Sequence, residues 1–235
     1  MLRISNRLQA LAKMVPQGMR TADIGTDHAF LPCYLISQGI SPFVIAIDMN
    51  EGPFEAARRN ISNYLLENYI DLRLGEGLKP LKPHEVEVLV IAGLGGSTMT
   101  EILNGSPEVV CEARRVIFQP MTDAEVIRIW LQENGWTIID EELIYEDRRI
   151  FEIIAAEKRK SRTLSQSELC FGPLLIEKKH PLLPDLLEKE LNGLQEILKQ
   201  LAKSKNKEVD EKMHFFRKKE NMIKELLICL SAASL

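Results

Sequence analysis

No apolar run among the 235 residues is long enough to cross a bilayer, which argues against a helical membrane span. The opening residues, Met1-Leu2-Arg3-Ile4-Ser5-Asn6-Arg7, contain no extended apolar segment and do not read as a secretory signal. The expected location is the cytoplasm. Only four cysteines occur: Cys33, Cys111, Cys170 and Cys229. Their spacing suits neither a disulfide framework nor a metal site, so they read as reduced thiols. No His, Asp or Glu group has metal-ligand spacing, and no metal is expected. No Ser or Cys sits in a nucleophile elbow, no aromatic stacking strands of an RNA-recognition domain are visible, and no internal repeat is present.

What is present is an ordinary globular composition, 45% hydrophobic, with an uneven charge distribution. Residues 1–157 hold 14 Lys/Arg against 23 Asp/Glu, a net of −9; residues 158–235 hold 16 against 11, a net of +5. An acidic body with a basic tail permits an anionic partner near the tail, although solvated helices with surface lysines give the same balance.

The apolar pattern alternates between two periods. Residues 2–15 form a helical face through Leu2, Ile4, Leu8, Leu11 and Val15. Strand-like runs follow at about 20–24, 43–47, 70–74, 86–92 and 114–118, with helical stretches between them, clearest at 51–66 and 123–134. Such alternation predicts βαβ units and a parallel sheet covered on both faces. The pattern then changes. Trp136 to Ile144 and Arg149 to Ala155 read as two strands joined by a short turn, an antiparallel hairpin closing the sheet. Five alternating strands and a hairpin form the seven-strand layout of class I methyltransferases, a Rossmann-like α/β fold. Residues 157–168 read as a polar linker. Leu187, Leu191, Leu194, Leu198 and Leu201, then Val209, Met213, Phe216, Ile223, Leu227 and Leu230, predict a coiled-coil-like antiparallel helical hairpin, with Glu220 interrupting the second stripe. The expected organisation is a domain over 1–160 and a helical hairpin over 161–235.

The most telling stretch is Thr21-Ala22-Asp23-Ile24-Gly25-Thr26-Asp27-His28-Ala29-Phe30-Leu31-Pro32. A strand runs into a turn at Gly25 and then a helix, and Asp48 ends the next strand. That pairing suits a nucleotide-like ligand, with backbone approach at the turn and a carboxylate on the ribose hydroxyls. Asp27 and Phe30 stand where a dinucleotide fingerprint needs its second and third glycines. A pyrophosphate would avoid that carboxylate, and a cationic, phosphate-free ligand such as S-adenosylmethionine fits it.

Val90-Ile91-Ala92-Gly93-Leu94-Gly95-Gly96-Ser97 ends the fourth strand. In an open α/β sheet the first and fourth strands flank the switch in strand order, so Gly25–Asp27 and Gly93–Gly96 should face one crevice. Three glycines in four positions let a flat group approach the backbone; a helix-start turn explains one of them. Gly75-Glu76-Gly77-Leu78 follows the third strand, and its backbone and acid could meet an adenine edge or form an ordinary turn. Met49 could pack on the adenine face or belong to the core. Asp27 is the strongest candidate for the reactive centre, with a helix N-cap as its other reading. His28 is a weaker candidate beside the ligand.

Together these residues resemble the bacterial tRNA (adenine-N1)-methyltransferases that modify the adenine at position 22. The resemblance rests on Asp23-Ile24-Gly25-Thr26-Asp27-His28-Ala29-Phe30-Leu31-Pro32, Gly75-Glu76-Gly77-Leu78 and Ile91-Ala92-Gly93-Leu94-Gly95-Gly96. Phe118-Gln119-Pro120, the Glu142-Leu143 to Glu146 hairpin and the terminal helical pair extend it over essentially the whole chain. Leu94 and Glu76 depart from the methionine and aspartate common at those positions. The resemblance implies S-adenosyl-L-methionine as donor and tRNA as acceptor. It places Asp23, Gly25, Asp27, His28, Asp48, Met49, Glu76, Gly77, Ala92 and Gly93 on the cofactor side, with Asp27, Gly93 and Gly95 at the target base. Arg3, Arg7, Lys13, Arg20, Lys158, Arg159 and Lys160 are candidate phosphate contacts, joined by Arg162, Lys203, Lys205, Lys207, Arg217, Lys218 and Lys219.

The loop after the fourth strand also lacks the Asn/Asp-Pro-Pro-aromatic pattern of enzymes that methylate exocyclic amines. Ring N1 of adenine has an in-plane lone pair and needs alignment rather than deprotonation. Competing readings keep the cofactor but change the acceptor to rRNA, protein or a small molecule, or keep the fold as a non-catalytic nucleic-acid-binding module. The sequence does not fix the oligomeric state, with a monomer favoured over an oligomer.

Overall fold

The computed structural model describes residues 2–159, 162–203 and 207–231. Lys160 and Lys205, both candidate phosphate contacts, lie outside the described residues. The chain divides into two compact units, Met1–Leu174 and Leu175–Leu235.

The first unit is built on one seven-stranded sheet of order β3-β2-β1-β4-β5-β7-β6. Its strands are β1 (Thr21–Ile24), β2 (Val44–Asp48), β3 (Ile70–Leu74), β4 (Val88–Gly95), β5 (Arg115–Thr122), β6 (Trp136–Glu146) and β7 (Arg149–Lys158). Strands β1 to β5 are parallel, and β7 joins β5 antiparallel, with β6 outside it. The hairpin seen in the sequence therefore folds back, so that its second strand is the inner one.

Residues on the two faces of the central strands alternate between two cores. Ile24, Ile45, Leu89, Ile91 and Phe118 point to one side, where α4 (Gly96–Asn104), α5 (Pro107–Val110) and α6 (Ala124–Glu133) bury Met99, Leu103, Ile127 and Leu131. Val44, Ala46, Val88, Val90 and Ile117 point to the other, beneath α1 (Asn6–Met14), α2 (Phe30–Ser37) and α3 (Glu51–Asn63). Continuous burial of β1, β2 and the first half of β4 is what a parallel sheet covered on both faces requires.

This first unit extends past the 160/161 boundary expected from composition. The supposed linker over 157–168 completes β7 and enters α7 (Gln166–Phe171), which starts with a capping box between Ser165 and Glu168. Arg128 accounts for the extension. It is fully buried, ion-paired to Glu141 at 2.8 Å and Glu152 at 2.6 Å, and donates to the carbonyls of Leu169 and Cys170 at 3.3 and 3.2 Å. The second oxygen of Glu141 accepts the Leu174 amide at 2.8 Å. Losing the 166–174 segment would leave a buried charge short of partners.

The division between units falls within the short helix α8 (Pro173–Glu177). The second unit contains α9 (Leu183–Leu201) and α10 (Lys207–Ser231), the antiparallel pair expected from the leucine spacing. Leu183, Leu186, Leu187, Leu194 and Ile223 are buried, and Lys219 pairs with Glu190 across the helices at 3.0 Å. Glu220 is accommodated by pairing with Lys224 at 2.7 Å.

Candidate active site

Strand order reverses between β1 and β4, and the cleft at their carboxyl ends has a volume of about 510 Å³. That lies within the usual range for a small-molecule site. Asp23, Gly25, Asp27, His28, Asp48, Met49, Gly77, Ala92 and Gly93 all line it, so one crevice unites the two loops.

The turn after β1 takes its shape from β2. The amides of Gly25 and Thr26 both donate to the carbonyl of Ile47, at 2.9 and 3.0 Å, and the amide of Asp27 donates to Asp48 Oδ2 at 3.0 Å. Asp48 Oδ1 accepts the Asn50 amide at 3.0 Å. Three consecutive turn amides are thus already engaged, which removes the donors a phosphate cradle would use. Each carboxylate oxygen of Asp48 keeps a further lone pair for a hydroxyl.

Gly25 (φ +74°), Asp27 (φ +52°) and Ala29 (φ +54°) all occupy the left-handed region. For Ala29 this conformation is costly, for Asp27 less so, and both are held by the surrounding bonds. The helix N-cap is Ala29, with no side-chain capping bond, so the capping reading of Asp27 does not hold. The Asp27 side chain is 66% exposed, and its neighbour is His28 Nε2 at 3.6 Å. The His28 ring lies 5.6 Å from that of Phe30, also on the cleft wall. Asp23, at the base, is buried and accepts from Thr26 Oγ1 at 2.8 Å. Burial, with the nearby charge of Asp48, pushes its pKa up to about 6 despite the Thr26 bond.

The loop after β4 divides its glycines between two tasks. Gly93 (φ +77°) lines the cleft, and a Cβ there would meet nothing within 4 Å. A Cβ on Gly96 would lie 2.3 Å from the carbonyl oxygen of Asp123, and one on Gly95 3.3 Å from Thr122 Oγ1. Gly95 does not line the cleft. These two glycines let α4 start against the β5–α6 corner, so close ligand approach accounts for Gly93 alone.

Other expectations separate as well. Glu76 turns outward to pair with Lys79 at 2.5 Å, while Gly75 and Gly77 face the cleft. Met49 is 63% exposed there and is not a core residue. Arg7, expected on phosphate, lines the cleft and donates to Gln119 Oε1. Arg3 and Lys13 are exposed. Arg20, Lys158 and Arg159 lie at the amino-terminal edge of the sheet, opposite the cleft. Arg20 donates to the His84 carbonyl at 2.9 Å, and Lys158 sits 5.6 Å from the Trp136 ring centre. Arg162 pairs with Glu168 at 2.5 Å. In the second unit Lys203, Arg217 and Lys218 are exposed. Sequence reasoning missed the position of Arg7 and the buried Arg128 cluster. The Ser165-x-x-Glu168 capping signal was readable.

The sheet order, its antiparallel final pair and an acidic, phosphate-averse turn at the switch point are those of a class I methyltransferase. The sequence model of the tRNA (adenine(22)-N(1))-methyltransferase family matches residues 21–225. The Bacillus subtilis (strain 168) tRNA (adenine(22)-N(1))-methyltransferase is 32% identical over 96% of this chain and 98% of its own. Streptococcus pneumoniae Sp1610, solved in complex with S-adenosyl-L-methionine, superposes with a TM-score of 0.87 at 32% identity, over 96% of this chain and all of that one. M. capricolum TrmK, bound to the cofactor product S-adenosyl-homocysteine, gives 0.85 at 29% identity over 97% and 99%. The chain belongs to the tRNA (adenine(22)-N(1))-methyltransferase family.

Proposed function

We propose that this cleft carries out S-adenosylmethionine-dependent methylation of N1 of adenine 22 in tRNA through the residues just described. The observation that carries the residue assignment is Asp27: an exposed carboxylate in a left-handed turn, capping nothing, on the same cleft as Asp48 and Gly93.

The residues present fit the donor. Three carboxylates, Asp23, Asp27 and Asp48, favour a positively charged ligand, and the amides of Gly25, Thr26 and Asp27 are already engaged rather than open to a phosphate. Asp48 would accept the ribose hydroxyls while fixing the Asp27 amide. Gly93 would leave room for the nucleoside beside β4, and Met49 and Gly77 would flank its base. When bound, the cofactor supplies an electrophilic methyl group on a positively charged sulfur.

The chain's own task is alignment. The N1 lone pair of the base must point along the breaking sulfur–carbon bond; no proton has to leave first. Positive charge then rests on the methylated base. Asp27, at the mouth of the cleft, would favour that charge as it develops and would help hold the base in place. An adenine within a folded tRNA must turn out of its stack to reach the cleft. Phosphates are assigned to exposed cations of the second unit, Arg217 and Lys218 on α10. The reading takes the protein as a cytoplasmic monomer.

Labelled S-adenosylmethionine and a tRNA transcript with adenine at position 22 test this directly. Label should appear as 1-methyladenosine at that position, and a transcript with guanine there should take none. Equal labelling of both transcripts would contradict the acceptor assignment.

A further inference from the structure

We propose that the turn between β6 and β7, through Arg148 and Arg149, holds the sugar–phosphate backbone of the acceptor RNA beside the cleft. The inference rests on the reading of the cleft as a tRNA-methylating site, and it adds a contact within the first unit to those assigned to the second.

The register of the hairpin puts this turn at the carboxyl edge of the parallel strands. β5 and β7 run antiparallel with Phe118 opposite Ile154, so the chain enters β7 where β5 ends. Glu146 faces Arg149 across the turn. Glu146 also accepts the main-chain amide of Arg7 at 3.1 Å, and Arg7 lines the cleft. The turn is thus one hydrogen bond away from the cleft wall. Arg20, Lys158 and Arg159 lie at the opposite edge of the sheet.

The cleft itself repels phosphate. Its charged lining is Asp23, Asp27 and Asp48, with Arg7 engaged on Gln119 and His28 against Asp27. An RNA that presents a base there needs cations outside the ring of acids to hold its backbone. Lys79, in the loop after β3, is taken up by Glu76. Arg148 and Arg149 are exposed, and among the described residues their side chains make no ion pair or hydrogen bond. Of the two acids in the turn, Glu146 is half-buried against Arg7, which leaves Asp147 alone to oppose them. Tyr145, 59% exposed just ahead of the turn, adds a ring and a hydroxyl donor. Two guanidinium groups with unused donors suit phosphate oxygens.

The backbone supplies a second sign. Asp147 (φ +49°) and Arg148 (φ +61°) are both left-handed, as the central pair of a two-residue hairpin turn must be. The second of these positions favours glycine, and an arginine there accepts strain that glycine would avoid. Strain kept at an exposed, unpaired side chain is accounted for by what that side chain binds.

Fluorescence anisotropy with a tRNA transcript carrying adenine at position 22, read over a series of salt concentrations, tests this on the full-length protein. Arg148→Gly and Arg149→Gln should each weaken binding severalfold, and both together roughly tenfold or more. Each should lower the slope of log Kd against log salt by about one. Arg148→Gly should do so with a Tm at or above that of the wild type, because glycine relieves the left-handed backbone. Arg148→Lys should keep part of the affinity. Arg159→Gln removes one charge at the opposite edge and should leave binding near that of the wild type. S-adenosylmethionine affinity, measured by calorimetry, should be the same in every variant. Unchanged tRNA affinity and salt slope in the double variant would overturn the inference. An Arg159→Gln loss equal to that of Arg149→Gln would also overturn it, since net charge alone would then suffice, as would a parallel fall in S-adenosylmethionine affinity. Wild-type protein that binds S-adenosylmethionine but neither binds nor methylates the transcript would instead overturn the tRNA reading itself.

Discussion

The turn after β1 and the loop after β4 both put glycines at a strand end facing one cleft, yet they use their unusual backbone differently. In the first, the left-handed residues Gly25, Asp27 and Ala29 shape a ligand-facing turn tied to Ile47 and Asp48. In the second, Gly93 faces the cleft, whereas Gly95 and Gly96 make way for Thr122 and Asp123. A glycine-rich loop beside a ligand is therefore no guide by itself to what each glycine serves. What a Cβ would strike decides it.

Substitutions can break this contrast. The largest effect is expected at Gly96→Ala, whose Cβ would sit 2.3 Å from a backbone carbonyl that cannot swing away. The expected loss is about 3 kcal/mol or more, a fall in Tm of roughly 6–12 °C in a thermal melt. A near-wild-type melt would remove Gly96 from the packing account.

The second effect belongs to the first turn alone, because Ala92–Ser97 contain no ionisable side chain. Asp23 in the folded protein holds its proton up to about pH 6, against 3.8 for the ordinary group. Between those values the unfolded chain has released a proton that the folded chain retains, so stability falls as pH rises from 4 to 6. The change is about 3 kcal/mol in total and levels off above pH 6. Urea titrations of wild type and Asp23→Asn should diverge in that window; parallel curves would contradict the buried acid. Glu85 and Glu168, held down to about 2 by Arg73 and Arg162, act with the opposite sign and weaken the fold only in stronger acid.

Asp27→Asn keeps the shape and left-handed tolerance of the residue but removes its charge. It should lower kcat roughly ten- to hundredfold and leave the thermal melt within about 0.5 kcal/mol of wild type. A matching fall in stability would make Asp27 a structural residue. The smallest effect is expected at Gly93→Ala, where φ +77° costs an alanine about 1–2 kcal/mol without any clash. Cofactor affinity should weaken severalfold, measured by calorimetry, and unchanged affinity would show that the open backbone there is not used.

The contrast also marks what the sequence could carry. Strand–helix alternation, the closing hairpin, the apolar stripes of α9 and α10 and the meeting of Gly25–Asp27 with Gly93 were all legible, because they follow from local periodicity and one rule of sheet topology. The exceptions depend on contacts between distant residues. Arg7 meets Gln119 and Glu146, and Arg128 is neutralised by Glu141 and Glu152 while tying down the 169–170 carbonyls. Nothing in the local pattern around either arginine announces a buried partner. Glu76 sits in the right loop but faces the wrong way, a difference of one position in a tight turn.

A crystal structure with S-adenosyl-homocysteine tests the central claim most directly. The account predicts ribose hydroxyls on Asp48, the nucleoside against Gly93 and Gly77, and an open Asp27 carboxylate facing the place of the lost methyl. Ligand seated elsewhere, or Asp48 turned away from the ribose, would contradict it.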